Sequence, residues 1–242
     1  MNDLLLNRFL INDKASITKH TIGRENIPLL IIDDFFENHH ELIQNAGDGS
    51  LFVTDAKNFY PGKRKIAPTR YAEQICSSYL PLFSSYFSNG QVQNAKSITS
   101  ALAISDQKPQ HLRPMQMLPH FDTTNINQLA VVHYLCDTEH GGTSFYRHRS
   151  SLFEAITAER LVGYAKQLKK EAMANQIHLT PCYMKGSNNM FEQIFSVEAK
   201  MNRAIIYPSN ALHSGNINPA LGLSSEPRKG RLTIGSFIEL SN

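Results

Sequence analysis

The alternation of apolar and polar residues divides the chain into an early part of mixed character and a later part with many short apolar runs. In the early part, the apolar run Pro28–Phe36 predicts a buried strand. We expect the pair Asp33-Asp34 to cap a helix that continues to about Asn45. Apolar residues at spacings of three and four then predict an amphipathic helix over Tyr71–Phe87, which Pro81 could divide into two shorter helices.

The later part of the chain predicts a series of strands that a single helix interrupts. The apolar runs that predict strands are Ala95–Ile104, Met115–Phe121, Gln128–Cys136, Thr143–His148, Asn188–Val197, Arg203–Tyr207, His213–Ile217 and Arg231–Leu240. Helical spacing over Leu152–Met173, after the capping residues Ser150 and Ser151, predicts an insertion at about 150–188 that lies over the β core as a lid or partner surface. Asn218–Gly230, rich in Pro, Gly and Ser, predicts a loop. We therefore expect a single α+β domain over residues 1–242 that is mainly β.

A turn is predicted over Asn58–Arg64, ahead of the first long helix. Pro61 and Gly62 suit the two central positions of a type II turn. Lys63 and Arg64 would then lie in a loop that could face a substrate.

Composition narrows the class of protein and its compartment. The chain has 242 residues, of which 41% are hydrophobic, enough for one domain with a substantial core. Its three cysteines are far apart and form no CxxC motif, which argues against a disulfide scaffold or a thiolate zinc site. The apolar run within Met1–Leu10 is too short for a signal peptide and has no basic segment before it, and no apolar stretch approaches the about 20 residues of a membrane span. We expect a cytoplasmic protein with no membrane partner.

Charge excludes nucleic acid as the favoured partner. The net charge is +3, and the basic residues are scattered, with only short clusters. A long basic stripe interleaved with aromatic residues, which nucleic-acid binding would favour, is missing from the sequence.

The candidate chemistry centres on His120 and Asp122. Side chains alternate along an extended segment, so residues two apart point to the same side and would offer an imidazole nitrogen and a carboxylate oxygen together. These are two of the three ligands of the 2-His-1-carboxylate triad that holds non-haem Fe(II). His213, in a Pro- and Gly-flanked segment downstream, is the best candidate for the third ligand.

Taken together, the order of these features resembles the Fe(II)/2-oxoglutarate-dependent oxygenases, in particular the prolyl-4-hydroxylase-like branch. The residues that carry the resemblance are His120, Asp122, Tyr134, Gly141, Gly142, His213, Arg231 and Thr233. The resemblance covers about residues 110–240, with a strand near residues 29–36 that often opens such domains. It implies a double-stranded β-helix, or jelly roll, with helices packed on one sheet.

The resemblance also implies an activity and its cofactors. Fe(II) would be held by His120, Asp122 and His213, and 2-oxoglutarate would be converted to succinate and CO₂ while dioxygen hydroxylates a substrate C–H bond. Arg231 suits the distal carboxylate of 2-oxoglutarate because a guanidinium pairs with a carboxylate through two hydrogen bonds. Thr233 and Tyr134 would add hydroxyl donors to the same carboxylate.

Several alternatives stay open at this point. The gap from His213 to Arg231 (231 − 213 = 18 residues) is longer than is usual in the family, so Arg228 is a rival for the co-substrate cation. A non-catalytic, cupin-like metal-binding protein and a zinc hydrolase are competing functions. The substrate would be a small polar molecule or a peptide side chain, and a homodimer is left open.

The remaining histidines are expected outside the site. His133 precedes Tyr134 and should face the other side of its strand. His140 and His148 are expected in loops or at the rim.

Overall fold

The computed structural model describes residues 9–54, 59–221 and 223–242. The expectations for residues 1–8, for Asn58 and for Gly222 lie outside the described residues. Within the described ranges, no helix is both long enough and apolar enough to traverse a lipid bilayer.

The described part of the chain forms two antiparallel sheets and three α-helices, which makes the fold α+β and mainly β. The strands are β1 Ser16–Ile22, β2 Ile27–Asp33, β3 Lys63–Ile66, β4 Asn94–Ser105, β5 Gln128–Tyr134, β6 Thr143–His148, β7 Phe191–Val197, β8 Arg203–Pro208, β9 His213–Gly215 and β10 Arg231–Ser241. The helices are α1 His39–Ala46, α2 Thr69–Phe87 and α3 Ala158–Ala174, and short 3-10 helices span Pro109–His111, Pro114–Met117, Thr138–His140 and Ile177–Leu179.

The larger sheet has the strand order β1-β2-β8-β5-β10-β4-β3, and the smaller one has the order β7-β6-β9. From β5 onward the chain crosses repeatedly between them. β5, β8 and β10 lie in the larger sheet, whereas β6, β7 and β9 lie in the smaller one. This alternation places the ends of several strands, and the loops that join them, around one space between the sheets.

The two faces of the larger sheet bury different apolar groups. On the outer face, Leu102 and Ile234 pack with Phe36 and with Tyr71 and Ile75 of α2. On the inner face, an apolar cluster joins the two sheets; it contains Ala130, Tyr134, Phe145, Val197, Ile205 and Tyr207. Because side chains alternate along a strand, β2, β5 and β8 each supply both clusters.

The first helix does not begin where the sequence indicates. Asp33 belongs to β2 and forms an ion pair with Arg203, with Nε and Oδ1 2.6 Å apart. Asp34 adopts a left-handed backbone conformation (φ 55°), which ends the strand. The N-cap of α1 is Asn38, so the expectation that the aspartate pair caps the helix is wrong.

The second helix is a single element. α2 runs unbroken through Pro81. Proline removes one backbone hydrogen bond, but Tyr79 and Phe83 on either side of it are buried in the core. The packing of one apolar face on both sides of Pro81 therefore outweighs the lost hydrogen bond.

The third helix starts later than the sequence indicates. α3 begins at Ala158 after the N-cap Thr157, rather than at Leu152. The preceding residues are used elsewhere, because Ala155 forms a β-bridge with Ala211 and Leu152 has φ 62°.

Two further expectations are wrong: one segment expected as a strand is not one, and one segment expected in a loop is a strand. Most of Met115–Phe121 is not a strand, because Pro114 starts a 3-10 turn in which the Arg113 N–H donates to the Gln116 side chain at 2.7 Å. The Lys63–Ile66 segment, expected in a loop, is instead strand β3 at the edge of the larger sheet.

Candidate metal centre

His120 and His213 are brought together by their backbones. They form an antiparallel β-bridge in which each N–H donates to the other residue's carbonyl at 2.8 Å. Two residues on, the Asp122 N–H donates to the Ser209 carbonyl at 2.8 Å. The segment 120–122 is thus held beside β9, and its two functional side chains reach the same space.

The side chains of His120, Asp122 and His213 converge on one point. Their candidate ligand atoms all lie within 4.8 Å of one another. His120 Nε2 is 3.9 Å from Asp122 Oδ1, and His213 Nε2 is 3.8 Å from Asp122 Oδ2. An ion held about 2 Å from each ligand requires donor atoms about 3–4 Å apart, so these separations suit a shared ion. Within the part of the chain that the structure describes, this is the one such group of His, Cys, Asp or Glu.

The His213 ring is oriented by its own hydrogen bond. Nδ1 lies 3.0 Å from the Ala211 carbonyl, which assigns the proton to Nδ1 and leaves the Nε2 lone pair directed at Asp122. The ring also packs against Tyr207 and Phe145, with centroid distances of 4.9 and 6.5 Å. Metal-binding histidines commonly donate their second N–H to a carbonyl in this way.

The three side chains differ in how far solvent reaches them. The His120 side chain is 47% exposed, whereas those of Asp122 and His213 are 18% and 8% exposed. Desolvation by the surrounding protein lowers the pKa of His120 to about 3, and interactions with His213 and Arg64 act in the same direction. Burial raises the pKa of Asp122, which His213 and Arg64 oppose. At neutral pH His120 therefore offers a free lone pair.

Arg231 lies inside the protein at the Gly141-Gly142 turn. It is buried, and its Nε and Nη2 donate to the carbonyls of Gly141 and Gly142 at 3.0 Å each. A guanidinium has five N–H donors, so three remain for a ligand. Arg228, by contrast, is exposed. Of the two rival cations, Arg231 is the one on the inner side of the sheet.

Thr233 and Tyr134 are directly paired neighbours on β10 and β5, and both are buried. The Tyr134 hydroxyl donates to Thr143 Oγ1 at 2.6 Å, so its proton is already used within the protein. The Tyr134 ring lies 5.8 Å from the guanidinium carbon of Arg231. The three residues predicted around the co-substrate thus share one region of the inner face.

Comparison with known proteins identifies the family of this chain. The model of a family of unknown function, DUF6445, matches residues 13–238. The chain belongs to the DUF6445 family. No curated protein matches it significantly. Among solved structures, the crystal structure of EvdMO1 is similar to this DUF6445 protein at 12% identity and a TM-score of 0.40. The match covers 88% of this chain and 47% of that chain, so the DUF6445 protein spans less than half the length of EvdMO1.

One residue beside the candidate ligands, Tyr207, was not predicted from the sequence. Tyr207 is buried beside His213, and its hydroxyl has no hydrogen-bond partner among the described residues. Burial raises the pKa of Tyr207, with Asp122 and Tyr134 adding to the effect and Arg231 opposing it. Tyr207 pairs across the sheet with Ala130 on the inner face, so cross-strand register, rather than any local motif, reveals it.

The other histidines of the DUF6445 protein lie away from the centre. His133 faces the helices, as expected, with Tyr71 and Asn202 at 3.2 and 3.1 Å from its ring nitrogens. His140 and His148 are both buried. The expectation of a loop or rim position is wrong for His148, which belongs to β6 and has its Nε2 2.8 Å from Glu171.

Proposed function

We propose that this DUF6445 protein is an Fe(II)/2-oxoglutarate-dependent dioxygenase of the prolyl-4-hydroxylase-like branch. It would hydroxylate an unactivated C–H bond of a small polar molecule or a peptide side chain and release succinate and CO₂. The observation that carries the proposal is the convergence of His120, Asp122 and His213 on one point. The chemistry of this donor set, two imidazoles and one carboxylate with other positions left open, suits Fe(II) oxygenases.

The proposal includes a jelly-roll fold. Eight segments are divided between the two sheets: β4, β5, β8 and β10 lie in the larger one, and β6, β7 and β9, with the segment at His120 bridged to β9, lie in the smaller one. Eight strands in two facing sheets are typical of a jelly roll. The His120 segment would be the short second strand, paired with β9.

Each ligand has a defined task in this proposal. His120 and His213 would bind the ion through Nε2, and Asp122 through a carboxylate oxygen. The bound iron, with dioxygen, would supply the oxidising chemistry in which 2-oxoglutarate loses CO₂ and one oxygen atom enters the substrate C–H bond. The hydrogen bond from His213 to Ala211 would keep the ring from rotating as ligands exchange.

Arg231 would hold the distal carboxylate of 2-oxoglutarate. Its Nη2 lies beside Gly215, where a Cβ atom would be only 3.6 Å away. Gly215 is two residues beyond His213 on β9, and such a step along a strand covers about 7 Å. This spacing suits a five-carbon dicarboxylate that reaches from the metal ligands to the guanidinium.

Hydroxyl groups would complete the co-substrate pocket. Tyr207 packs against the His213 ring, with centroids 4.9 Å apart, and would have a proton available for donation. Thr233 is two residues from Arg231 on the same face of β10. Tyr134, whose proton is donated to Thr143, would act by holding that threonine in place rather than by donating to the ligand.

The test measures succinate release from 2-oxoglutarate with and without Fe(II). The substrate need not be known, because uncoupled turnover of 2-oxoglutarate also releases succinate. We expect iron-dependent succinate release by the wild type and none by His213→Ala. Arg231→Gln should retain iron and raise the KM for 2-oxoglutarate. Wild-type protein that binds iron but neither binds nor converts 2-oxoglutarate would refute the proposal.

A second candidate is a metal-binding jelly-roll protein without oxygenase activity, in the manner of cupins. One observation favours it: two donors of Arg231 already bind the carbonyls of Gly141 and Gly142, which would be reason enough to retain a buried arginine. In that case Arg231→Gln should lower the free energy of unfolding and leave any affinity for 2-oxoglutarate unchanged.

A further inference from the structure

Arg64 places a guanidinium on the inner face of the larger sheet, and among the described residues it forms no ion pair. It pairs across the sheet with Ala103, which pairs with Thr233, so Arg64 and Thr233 share the inner face of the sheet. Within the described ranges, no carboxylate oxygen lies within 4 Å of its nitrogens, in contrast to Arg147, Arg160 and Arg203, which each form ion pairs. A half-buried positive charge without a partner is costly, so a ligand that supplies the negative charge would be favoured there.

The position of Arg64 is fixed before any ligand binds. Its backbone exchanges hydrogen bonds with Val53 at 2.8 and 2.9 Å on the side opposite β4. Its guanidinium carbon lies 4.7 Å from the centre of the Tyr60 ring, and the Tyr60 hydroxyl is 2.9 Å from Ser105 Oγ. Stacking on an aromatic face leaves the edge of a guanidinium free for two parallel hydrogen bonds.

Gly62 makes this arrangement possible. A Cβ atom at Gly62 would lie 2.0 Å from the Ile104 carbonyl oxygen, so a side chain there would push the turn away from β4. The close approach keeps Tyr60 and Arg64 against the inner face of the sheet.

Arg64 lies on the same sheet face as residues proposed to line the co-substrate pocket. Its cross-strand partner Ala103 also pairs with Thr233, which in turn pairs with Tyr134. Under the proposed function, the positive charges of a divalent ion, Arg64 and Arg231 exceed by one the negative charges of Asp122 and a dianionic co-substrate. One further negative charge would bring the net charge of these groups to zero.

We propose that Arg64, stacked on Tyr60, binds a carboxylate of the primary substrate, so that the molecule hydroxylated is a monocarboxylate. This inference rests on the proposed function, because it takes the metal and the co-substrate as already in place. Arg231 holds the co-substrate and Arg64 selects the substrate.

The test uses protein loaded with Mn(II) and 2-oxoglutarate under nitrogen. The probes are N-acetylated leucine, proline, glutamine and phenylalanine, each as the free carboxylate and as the C-terminal amide. Calorimetry gives the affinity of each matched pair, which differs only in the negative charge. We expect the wild type to bind at least one carboxylate about tenfold more tightly than its amide.

The matched variants are Arg64→Gln and Lys63→Gln, which remove the same charge from adjacent residues. Lys63 pairs across the sheet with Ile104, a residue of the outer face, and its Nζ lies 3.0 Å from Asp106. Arg64→Gln should remove the preference for the carboxylate and leave the Kd values of Mn(II) and 2-oxoglutarate within twofold of wild type. Lys63→Gln should keep the preference.

Three results would overturn the inference. They are a wild type with no carboxylate preference, a preference that survives in Arg64→Gln, and an Arg64→Gln protein that has lost 2-oxoglutarate instead. Failure of the proposed function is separate and is seen as a lack of iron-dependent succinate release in wild type.

Discussion

His120 and His213 each donate a backbone hydrogen bond to the other at 2.8 Å, and their ring centroids lie 4.4 Å apart. A single β-bridge thus joins two distant parts of the chain at the point where the candidate ligands meet. The bridge holds the two backbones side by side, so both residues are kept at the site by the fold itself. The following expectations depend on this arrangement.

Removing a ligand should abolish metal binding without unfolding the protein. We expect Asp122→Ala to weaken Fe(II) or Mn(II) binding at least about 100-fold, because two imidazoles alone make a poor site for these ions. The matched control is His40→Ala, which removes an exposed histidine on α1. Calorimetric titration of the metal measures both variants. An Asp122→Ala protein that binds the ion as tightly as wild type would exclude this carboxylate as a ligand.

Two buried tyrosines should differ in their effect on the co-substrate. Tyr207→Phe removes a hydroxyl that has no protein partner among the described residues, so we expect a threefold to tenfold loss of 2-oxoglutarate affinity, about 1 kcal/mol for one hydrogen bond. Tyr134→Phe removes a hydroxyl that donates to Thr143 and should chiefly lower the free energy of unfolding. Binding and denaturation measurements on both variants make the comparison. The reverse ranking for affinity would support the assignment of Tyr134 as the donor.

The Gly141-Gly142 turn should tolerate no side chain. A Cβ atom at Gly142 would lie 1.8 Å from the Val197 carbonyl oxygen. We expect Gly142→Ala to lower the free energy of unfolding by about 1–3 kcal/mol, because a rigid backbone must move. Gly163→Ala is the control, since Gly163 is an exposed helical residue with open space around it, and should stabilise by about 0.5–1 kcal/mol. Urea denaturation measures both, and equal effects would contradict the packing argument.

Stability should fall in acid partly through His133. Burial lowers its pKa to about 3, and the hydrogen bond to Asn202 only partly opposes this. The unfolded chain, with a histidine pKa near 6.5, binds one more proton than the folded chain between about pH 6.5 and pH 3. Stability is therefore complete above the unfolded pKa and falls by about 1.4 kcal/mol for each pH unit as the pH drops through this window.

His133→Gln removes this titration while retaining a polar group. The free energy of unfolding of the variant, measured in urea from pH 6 to pH 4, should decline less steeply than that of wild type by the same amount per pH unit. Parallel declines would mean that His133 does not resist protonation in the folded protein.

Local pattern identified many elements but misplaced their ends. Thr143–His148 is a strand with the expected bounds, and Tyr71–Phe87 differs from α2 by two residues at its start. The errors occur where a distant contact competes with the local signal. Asp33, a good helix cap by type, pairs with Arg203 instead, and α3 begins late because Ala155 is held by Ala211.

The sequence by itself determined which residues could form the centre, because the spacing of His120 and Asp122 places both on one side of an extended segment whatever surrounds it. It also indicated a mainly β chain, since the period of apolar residues is a local property. Only the tertiary structure decided that Arg231 rather than Arg228 lies inside, that Tyr134 donates to Thr143, and that Tyr207 and Arg64 lie on the same face of the larger sheet. These depend on the register between strands distant in the chain, and that register is set by the packing of both sheet faces at once, which no local pattern contains.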